Sequence, residues 1–133
     1  MAQQTQHLLL AEDNREMRLF LLEALSQYFE VTAVTNGREL SALLCECRGT
    51  YDVVVTDLVM PQWNGDEGLE HARMFGVELP VVFISGMFDE LAIEEMPGRA
   101  YLKKPFHVDA LMDAIEAVIR EHSRLVSRES GRF

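Results

Sequence analysis

Acidic, hydroxyl and basic side chains stand at the ends of four short apolar runs in this sequence. Glu12 and Asp13 follow HLLLA, and Asp57 follows VVVT. Ser85 ends VVFIS, and Lys104 follows AYLK. Three converging carboxylates would repel one another unless a cation neutralised them, and their oxygens favour a hard divalent ion such as Mg²⁺. Asp57 could then be a nucleophile for a phosphoryl group, with Ser85 and Lys104 facing the oxygens of that group.

A purely structural explanation for Asp57 has to be weighed against this chemistry. Val53 to Val55 and Thr56 precede it, a pattern typical of a central strand that is covered on both faces. An aspartate at the end of such a strand can cap the following turn. The choice between a turn cap and a reactive carboxylate depends on which other charged residues meet Asp57 in the fold.

The composition indicates one globular domain. The chain has 133 residues, 48% of them hydrophobic, and a formal net charge of −10, which argues against nucleic acid as a direct partner. No apolar stretch approaches the roughly 18 residues of a membrane span, and the first residues lack the basic start of a signal peptide. Cys45 and Cys47 are too close on a predicted helix to face each other. We therefore expect a cytoplasmic protein without membrane insertion.

Strand-like and helix-like patterns alternate along the chain. The strand-like runs are HLLLA, EVTAVT, VVVTD, PVVFIS and AYLKK. Helical spacing follows in the segment from Asn14, in GRELSALLCECR, in GDEGLEHARMFG, in the short acidic DELAIEEM, and from Val108 onward. This alternation predicts a doubly wound α/β fold, with a five-stranded parallel sheet of order 2-1-3-4-5 and helices on both faces. We place the domain at residues 1–126 and expect residues 127–133 to be a polar tail or the start of a linker.

The predicted sheet would bring the chemically competent residues together. In doubly wound sheets the ligand lies beyond the carboxyl ends of the strands. Glu12, Asp13, Asp57, Ser85 and Lys104 all fall at those ends. The fold prediction therefore favours a single site over scattered polar residues.

The order of these motifs resembles the receiver domain of two-component response regulators. The matching stretches, from about Leu8 to Val126, are LLLAEDN, VVVTDLVMPQWNG, VVFISG and AYLKKPF. The resemblance implies that Asp57 is the phosphoacceptor and that Lys104 and Ser85 assist it. The donor would be a histidine kinase or a histidine phosphotransfer protein. We therefore expect the protein to be a signalling switch and not an enzyme that turns over substrate.

The resemblance also implies a set of Mg²⁺ ligands. Asp13 and Asp57 would bind the ion directly, and Glu12 would act through water. The main-chain carbonyl of Val59 would be a further ligand, so the apolar side chain at that position does not prevent coordination.

Two adjacent lysines precede a proline, and only one matches the family. The family's lysine directly precedes the proline, so we assign the role to Lys104 and interpret Lys103 as a solvated neighbour. The resemblance further implies a cis bond between Lys104 and Pro105.

Ser85 and Tyr101 are the expected switch residues. In the family, a shift of the serine or threonine lets an aromatic residue of the fifth strand rotate, and Tyr101 matches that aromatic. A half-buried strand residue with a hydrated hydroxyl is the alternative interpretation of Tyr101. Rotation would change the surface formed by the fourth predicted helix, the fifth strand and the last helix, to which a downstream partner or a second copy would bind.

Val59 and Met87 are the expected lifetime residues. They stand two positions beyond Asp57 and Ser85, where the family tunes hydrolysis of the acyl phosphate. Both side chains are apolar, which predicts slow self-dephosphorylation.

Other functions remain possible at this point. A receiver-like docking module that is never phosphorylated is the main alternative. A Mg²⁺-dependent phosphatase would resemble Asp-x-Asp, whereas Leu58 and Val59 follow Asp57 here. A flavin carrier would need a phosphate-binding loop where this chain has the acidic EDNREM. The cognate kinase, the pathway, the oligomeric state and the role of Trp63 are not fixed by the sequence.

Overall fold

The computed structural model of the protein describes residues 5–86 and 96–130. These residues form five strands and four helices. The elements are β1 (His7–Ala11), α1 (Arg15–Leu25), β2 (Glu30–Val34), α2 (Gly37–Glu46), β3 (Val53–Asp57), α3 (Gly65–Met74), β4 (Val81–Ser85), β5 (Arg99–Lys103) and α4 (Val108–Ser130). All strand pairs are parallel, and their order is β2-β1-β3-β4-β5. The predicted sheet and strand order are confirmed.

Helices cover both faces of the sheet, as predicted. On one face, α2 and α3 pack over a core cluster that includes Leu40 and Leu69. On the other face, α1 and α4 pack over a cluster that includes Leu21 and Ile115. All residues of β3 and β4 are buried, which explains why these strands are continuous apolar runs instead of alternating ones.

Asparagine side chains begin the first two helices. Asn14 accepts a hydrogen bond from the backbone N–H of Met17 at 2.9 Å, and Asn36 accepts one from Glu39 at 2.8 Å. These bonds satisfy N–H groups that have no partner inside the helix. The predicted helix in GRELSALLCECR is confirmed, and Asn36 caps its first turn.

Two helices and the loop after β3 meet backbone to backbone. A Cβ atom at Gly68 of α3 would overlap the carbonyl oxygen of Gly37 in α2. Gln62 and Trp63 have φ angles of 49° and 70°, in the left-handed region that non-glycine residues seldom adopt. Their carbonyls accept hydrogen bonds from the first N–H groups of α2, with Gly37 donating to Trp63 at 3.0 Å and Arg38 to Gln62 at 3.1 Å. The loop thus caps the start of α2.

Four further sequence expectations concern the fourth predicted helix, the end of the domain, the cis peptide bond and membrane insertion. The predicted helix DELAIEEM falls mainly on residues 87–95, outside the described residues. Helix α4 continues to Ser130, through part of the segment that we expected to lie beyond the domain. The peptide bond between Lys104 and Pro105 is cis, as expected. Among residues 5–86 and 96–130, no helix combines the length and the apolar character needed to cross a membrane.

Candidate functional site

A lysine joins two carboxylates at the carboxyl edge of the sheet. The Nζ atom of Lys104 donates to Oε1 of Glu12 at 3.0 Å and to Oδ2 of Asp57 at 3.1 Å. Glu12 follows β1, Asp57 ends β3, and Lys104 follows β5. The structure therefore brings together three residues that the sequence placed at separate strand ends.

Strand register explains this convergence. Ala11 of β1 pairs with Thr56 of β3, so the next residue on each strand is a carboxylic acid. Ser85 pairs with Lys103 across β4 and β5, and the backbone N–H of Lys104 donates to the Ser85 carbonyl at 2.9 Å. Ser85 is buried at the end of β4. Parallel strands end on one edge, so neighbouring registers place these residues side by side.

Two carboxyl groups are buried next to each other in this site, which makes it unfavourable for both to be ionised. Glu12 is fully buried and Asp57 is 6% exposed. Burial, together with the hydrogen bond and the charge of Glu12, raises the pKa of Asp57 to about 8. Burial also acts to raise the pKa of Glu12, but hydrogen bonds from Asp57 and Lys104 outweigh it, so that pKa is lowered. The pair formed by Glu12 and Asp57 therefore keeps a proton to a higher pH than two separate carboxyl groups would.

Lys104 stays charged in spite of its environment. Burial acts to lower the pKa of its ammonium group. The hydrogen bond to Glu12 and the negative charges of Asp57 and Glu12 more than offset this, so the pKa is raised. The site therefore keeps a fixed positive charge beside the carboxyl group of Asp57.

Glu12, Asp13 and Asp57 have the geometry of a cation site. Each offers a carboxylate oxygen, and these oxygens lie within 4.8 Å of one another. Asp13 is exposed, so an ion held by the three would also face water. Oxygen ligands with room for water suit Mg²⁺. The donor set therefore fits a hard divalent cation.

Arg18 supports the acidic pair and was not identified from the sequence. Its guanidinium, on α1, donates to the carbonyl of Glu12 at 2.9 Å and to that of Asp13 at 3.3 Å. These bonds tie the end of β1 to the helix that follows. A basic residue one turn into the helix after an acidic pair was the available signal.

The other expected site residues are in the loop after β3, on β5 and in the segment that follows β4. Val59 is in the loop after β3, with 40% of its surface exposed. Tyr101 is half-buried on β5, and its ring stacks on Phe83 with the centroids 5.2 Å apart. Lys103, the other lysine before Pro105, is exposed. Met87 lies outside the described residues.

Fold and site together define a doubly wound α/β domain with a carboxylate–lysine centre at the carboxyl edge of its sheet. The family model of the response regulator receiver domain matches residues 8–116. The chain therefore belongs to the response regulator receiver family. Members are phosphoacceptor regulators of two-component systems, not classical enzymes, and they bind Mg²⁺ at an acidic pocket.

Individual relatives agree with this assignment. The response regulator receiver protein CpdR of Brucella abortus is 35% identical over 117 residues, which cover 84% of this chain and 95% of that protein. The C4-dicarboxylate transport transcriptional regulatory protein DctD of Pseudomonas aeruginosa is 36% identical over 92% of this chain, but the match spans only 27% of DctD. A response regulator receiver protein from Sinorhizobium medicae superposes with a TM-score of 0.76 at 28% identity, over 87% of this chain and 95% of that one.

Proposed function

We propose that the chain is a phosphorylation-controlled switch in which Asp57 accepts a phosphoryl group from a histidine kinase or a histidine phosphotransfer protein. The observation that carries this proposal is the contact of one lysine, Lys104, with both Asp57 and Glu12 beside a third carboxylate. An aspartate that only capped a turn would not need this surrounding charge. We place the switch in the cytoplasm and take residues 1–126 as its functional unit.

The proposed cofactor is Mg²⁺, held by Asp13, Asp57, the Val59 carbonyl and, through water, Glu12. When bound, the ion neutralises the carboxylates and withdraws charge from phosphoryl oxygens. Asp57 has to be ionised to act as a nucleophile, and its raised pKa works against this at neutral pH. Phosphoryl uptake should therefore require the cation.

The chemistry assigns one task to each side chain. A carboxylate oxygen of Asp57 forms a bond to phosphorus, while the bond from phosphorus to the donor's histidine nitrogen breaks. The ammonium group of Lys104, which already lies 3.1 Å from Asp57, pairs with an oxygen of the transferred group. The Ser85 hydroxyl donates to another of those oxygens. The product is an acyl phosphate on Asp57.

A small-molecule donor tests this proposal directly. Incubation with acetyl phosphate and Mg²⁺ should add one phosphoryl group per chain, visible as a single mass increment that is lost in mild base. The same incubation with EDTA should give no increment, because the carboxylates would then be left without a neutralising cation. Equal labelling with and without the metal would contradict the proposed role of Mg²⁺.

The lifetime of the phosphorylated form is a second prediction. Neither Val59 nor Met87 can orient a water molecule by a hydrogen bond, so we expect slow self-dephosphorylation. The double variant Val59→Asn/Met87→Glu should lose its phosphoryl group faster, on the order of tenfold or more, because polar side chains can then position the attacking water. The decay of the mass increment after removal of the donor measures this rate. An unchanged rate would show that these positions do not control hydrolysis.

The output surface is a third prediction. We propose that Ser85 moves toward the phosphoryl group and that Tyr101 then rotates, which alters the surface formed by β5, α4 and the segment at residues 87–95. Beryllofluoride, a stable mimic of the phosphoryl group, should change self-association or the affinity for a downstream partner in the wild type. Tyr101→Ala should reduce this response, and Tyr101→Phe, which keeps the ring on Phe83, serves as the matched control. Identical association in every sample would mean that the signal leaves by another surface.

A further inference from the structure

An aromatic ridge runs along the exposed side of α3, from the loop that precedes this helix to its carboxyl end. We define it by Trp63, His71, Met74 and Phe75. The ring centroids of Trp63 and His71 are 5.0 Å apart, and those of His71 and Phe75 are 5.1 Å apart. Met74 is 78% exposed and Phe75 is 54% exposed. Large apolar side chains so open to water, gathered on one surface, are typical of a binding site.

Helix α2 and the turn that follows it hold the ridge in place. The buried hydroxyl of Ser41 lies 2.6 Å from Nδ1 of His71. The Arg38 guanidinium lies over the Trp63 ring, 5.3 Å from its centroid, and Arg48 donates to the carbonyl of Phe75. A surface that is already ordered loses little conformational entropy when a partner binds.

The ridge borders a surface cavity with two acidic walls. Its volume is about 320 Å³, and it is lined by Trp63, Glu67, Glu70, His71 and Met74. Aromatic rings attract cations through their faces, and carboxylates form charge-assisted hydrogen bonds with guanidinium groups. The apolar thioether of Met74 can contact the aliphatic stem of the same side chain. This lining suits an arginine.

The two carboxylates keep their negative charge available to a ligand. Oε1 of Glu67 accepts the backbone N–H of Asn64 at 3.0 Å, a bond that leaves the charge of Glu67 uncompensated. Glu70 lies 3.7 Å from Arg73, but both side chains are well exposed, so this pair is weak. A cation that enters between Glu67 and Glu70 can therefore gain more from them than their present contacts provide.

We propose that this cavity binds an arginine side chain from a partner protein, with apolar neighbours of that arginine packing on Met74 and Phe75. The net charge of −10 would also attract a cationic segment. The ridge lies on the α2–α3 face, whereas α4 covers the opposite face of the sheet. Its occupation would therefore leave β5 and α4 open to a second partner.

Trp63 is the only tryptophan of the chain, so its fluorescence reports on the cavity directly. The probe is an amphipathic helical peptide with one central arginine, compared with the same peptide in which citrulline replaces that arginine. The arginine peptide should cause a saturable change in emission, and the uncharged citrulline peptide should bind about tenfold or more weakly. Glu67→Gln/Glu70→Gln removes both negative charges and should weaken binding of the arginine peptide by a similar factor. The start of α3 should not be disturbed, because the side-chain oxygen of glutamine at position 67 can still accept the hydrogen bond from Asn64.

A matched control and a separate measurement complete this test. Glu23→Gln/Glu116→Gln removes two exposed carboxylates from α1 and α4 and should leave binding unchanged. No saturable change, or equal binding of the arginine and citrulline peptides, would overturn the proposal. Self-association in sedimentation that Met74→Glu abolishes would make a second copy the occupant, and this would also overturn it.

Discussion

Asp57→Asn should abolish phosphoryl uptake and at the same time make the protein harder to unfold. Asparagine has no carboxylate to attack phosphorus, so the mass increment from acetyl phosphate and Mg²⁺ should disappear. Its amide has the shape of the protonated carboxyl, and Lys104 would keep its 3.0 Å contact with Glu12. In EDTA we expect a gain in the free energy of unfolding of up to about 5 kcal/mol above pH 8, which is the free energy that corresponds to the rise in the pKa of the removed carboxyl group from near 4 to about 8.

The stability difference between Asp57→Asn and the wild type should depend on pH. The pKa of Asp57 is raised to about 8 in the folded protein, against a value near 4 in an unfolded chain. The protonated carboxyl therefore stabilises the fold at low pH, and this contribution is lost as the pH rises from about 4 to about 8. The variant cannot ionise at this position. Its advantage over the wild type should be absent at acidic pH and should grow until about pH 8.

Thermal unfolding in EDTA across this pH range measures the difference. Asp113→Asn removes an exposed aspartate from α4 and should change neither labelling nor the unfolding temperature appreciably. Labelling of Asp57→Asn to the wild-type level would refute the assignment of the phosphoacceptor. A variant that is no more stable than the wild type at any pH would show that Asp57 is not strained by its neighbours.

Gly68→Ala should destabilise the fold, although alanine is the better helix former by about 1 kcal/mol. A Cβ atom at position 68 would overlap the carbonyl oxygen and other backbone atoms of Gly37 in the neighbouring helix. Backbone cannot rotate away as the end of a flexible side chain can, so α2 and α3 would have to separate. We expect a loss of about 1–3 kcal/mol, the usual cost of overpacking.

Gly86→Ala is the matched control for this substitution. Among residues 5–86 and 96–130, no atom lies within 4 Å of a Cβ atom placed at Gly86, so none of these residues opposes an alanine there. Urea unfolding of both variants should show a lower midpoint for Gly68→Ala alone. A midpoint for Gly68→Ala at or above that of the wild type would mean that the two helices have room to move apart.

Local pattern was sufficient to predict most of this fold. The strands are short apolar runs, and α2 lies within the predicted helical segment GRELSALLCECR. The approach of Gly37 to Gly68 could not be predicted, because it depends on how two separate helices cross. The positive φ angles of Gln62 and Trp63 were equally hidden, because neither residue type favours that conformation.

The candidate site was predictable where strand ends determine it. Glu12, Asp57 and Lys104 converge because parallel strands end on one edge. The contacts of Arg18 were not foreseen, because a long side chain on a helix can reach many backbone atoms. The role of Trp63 could not be predicted from the sequence either. Its contacts with Arg38 and His71, which are not its neighbours in the sequence, make its ring part of the aromatic ridge.

The bond between Lys104 and Glu12 also constrains the order of folding. It joins residues 92 positions apart, whereas Leu8 and Val53, which pair across β1 and β3, are only 45 positions apart. We expect a contact between residues so far apart in the sequence to form late in folding. Closing the long loop between them costs chain entropy before the contact itself can stabilise the protein. An intermediate with β1 and β3 paired but β5 undocked would hold two buried acids without their lysine. That intermediate should become less populated as the pH rises, so refolding in EDTA should slow toward pH 8, and the completed site would arise only in the last step.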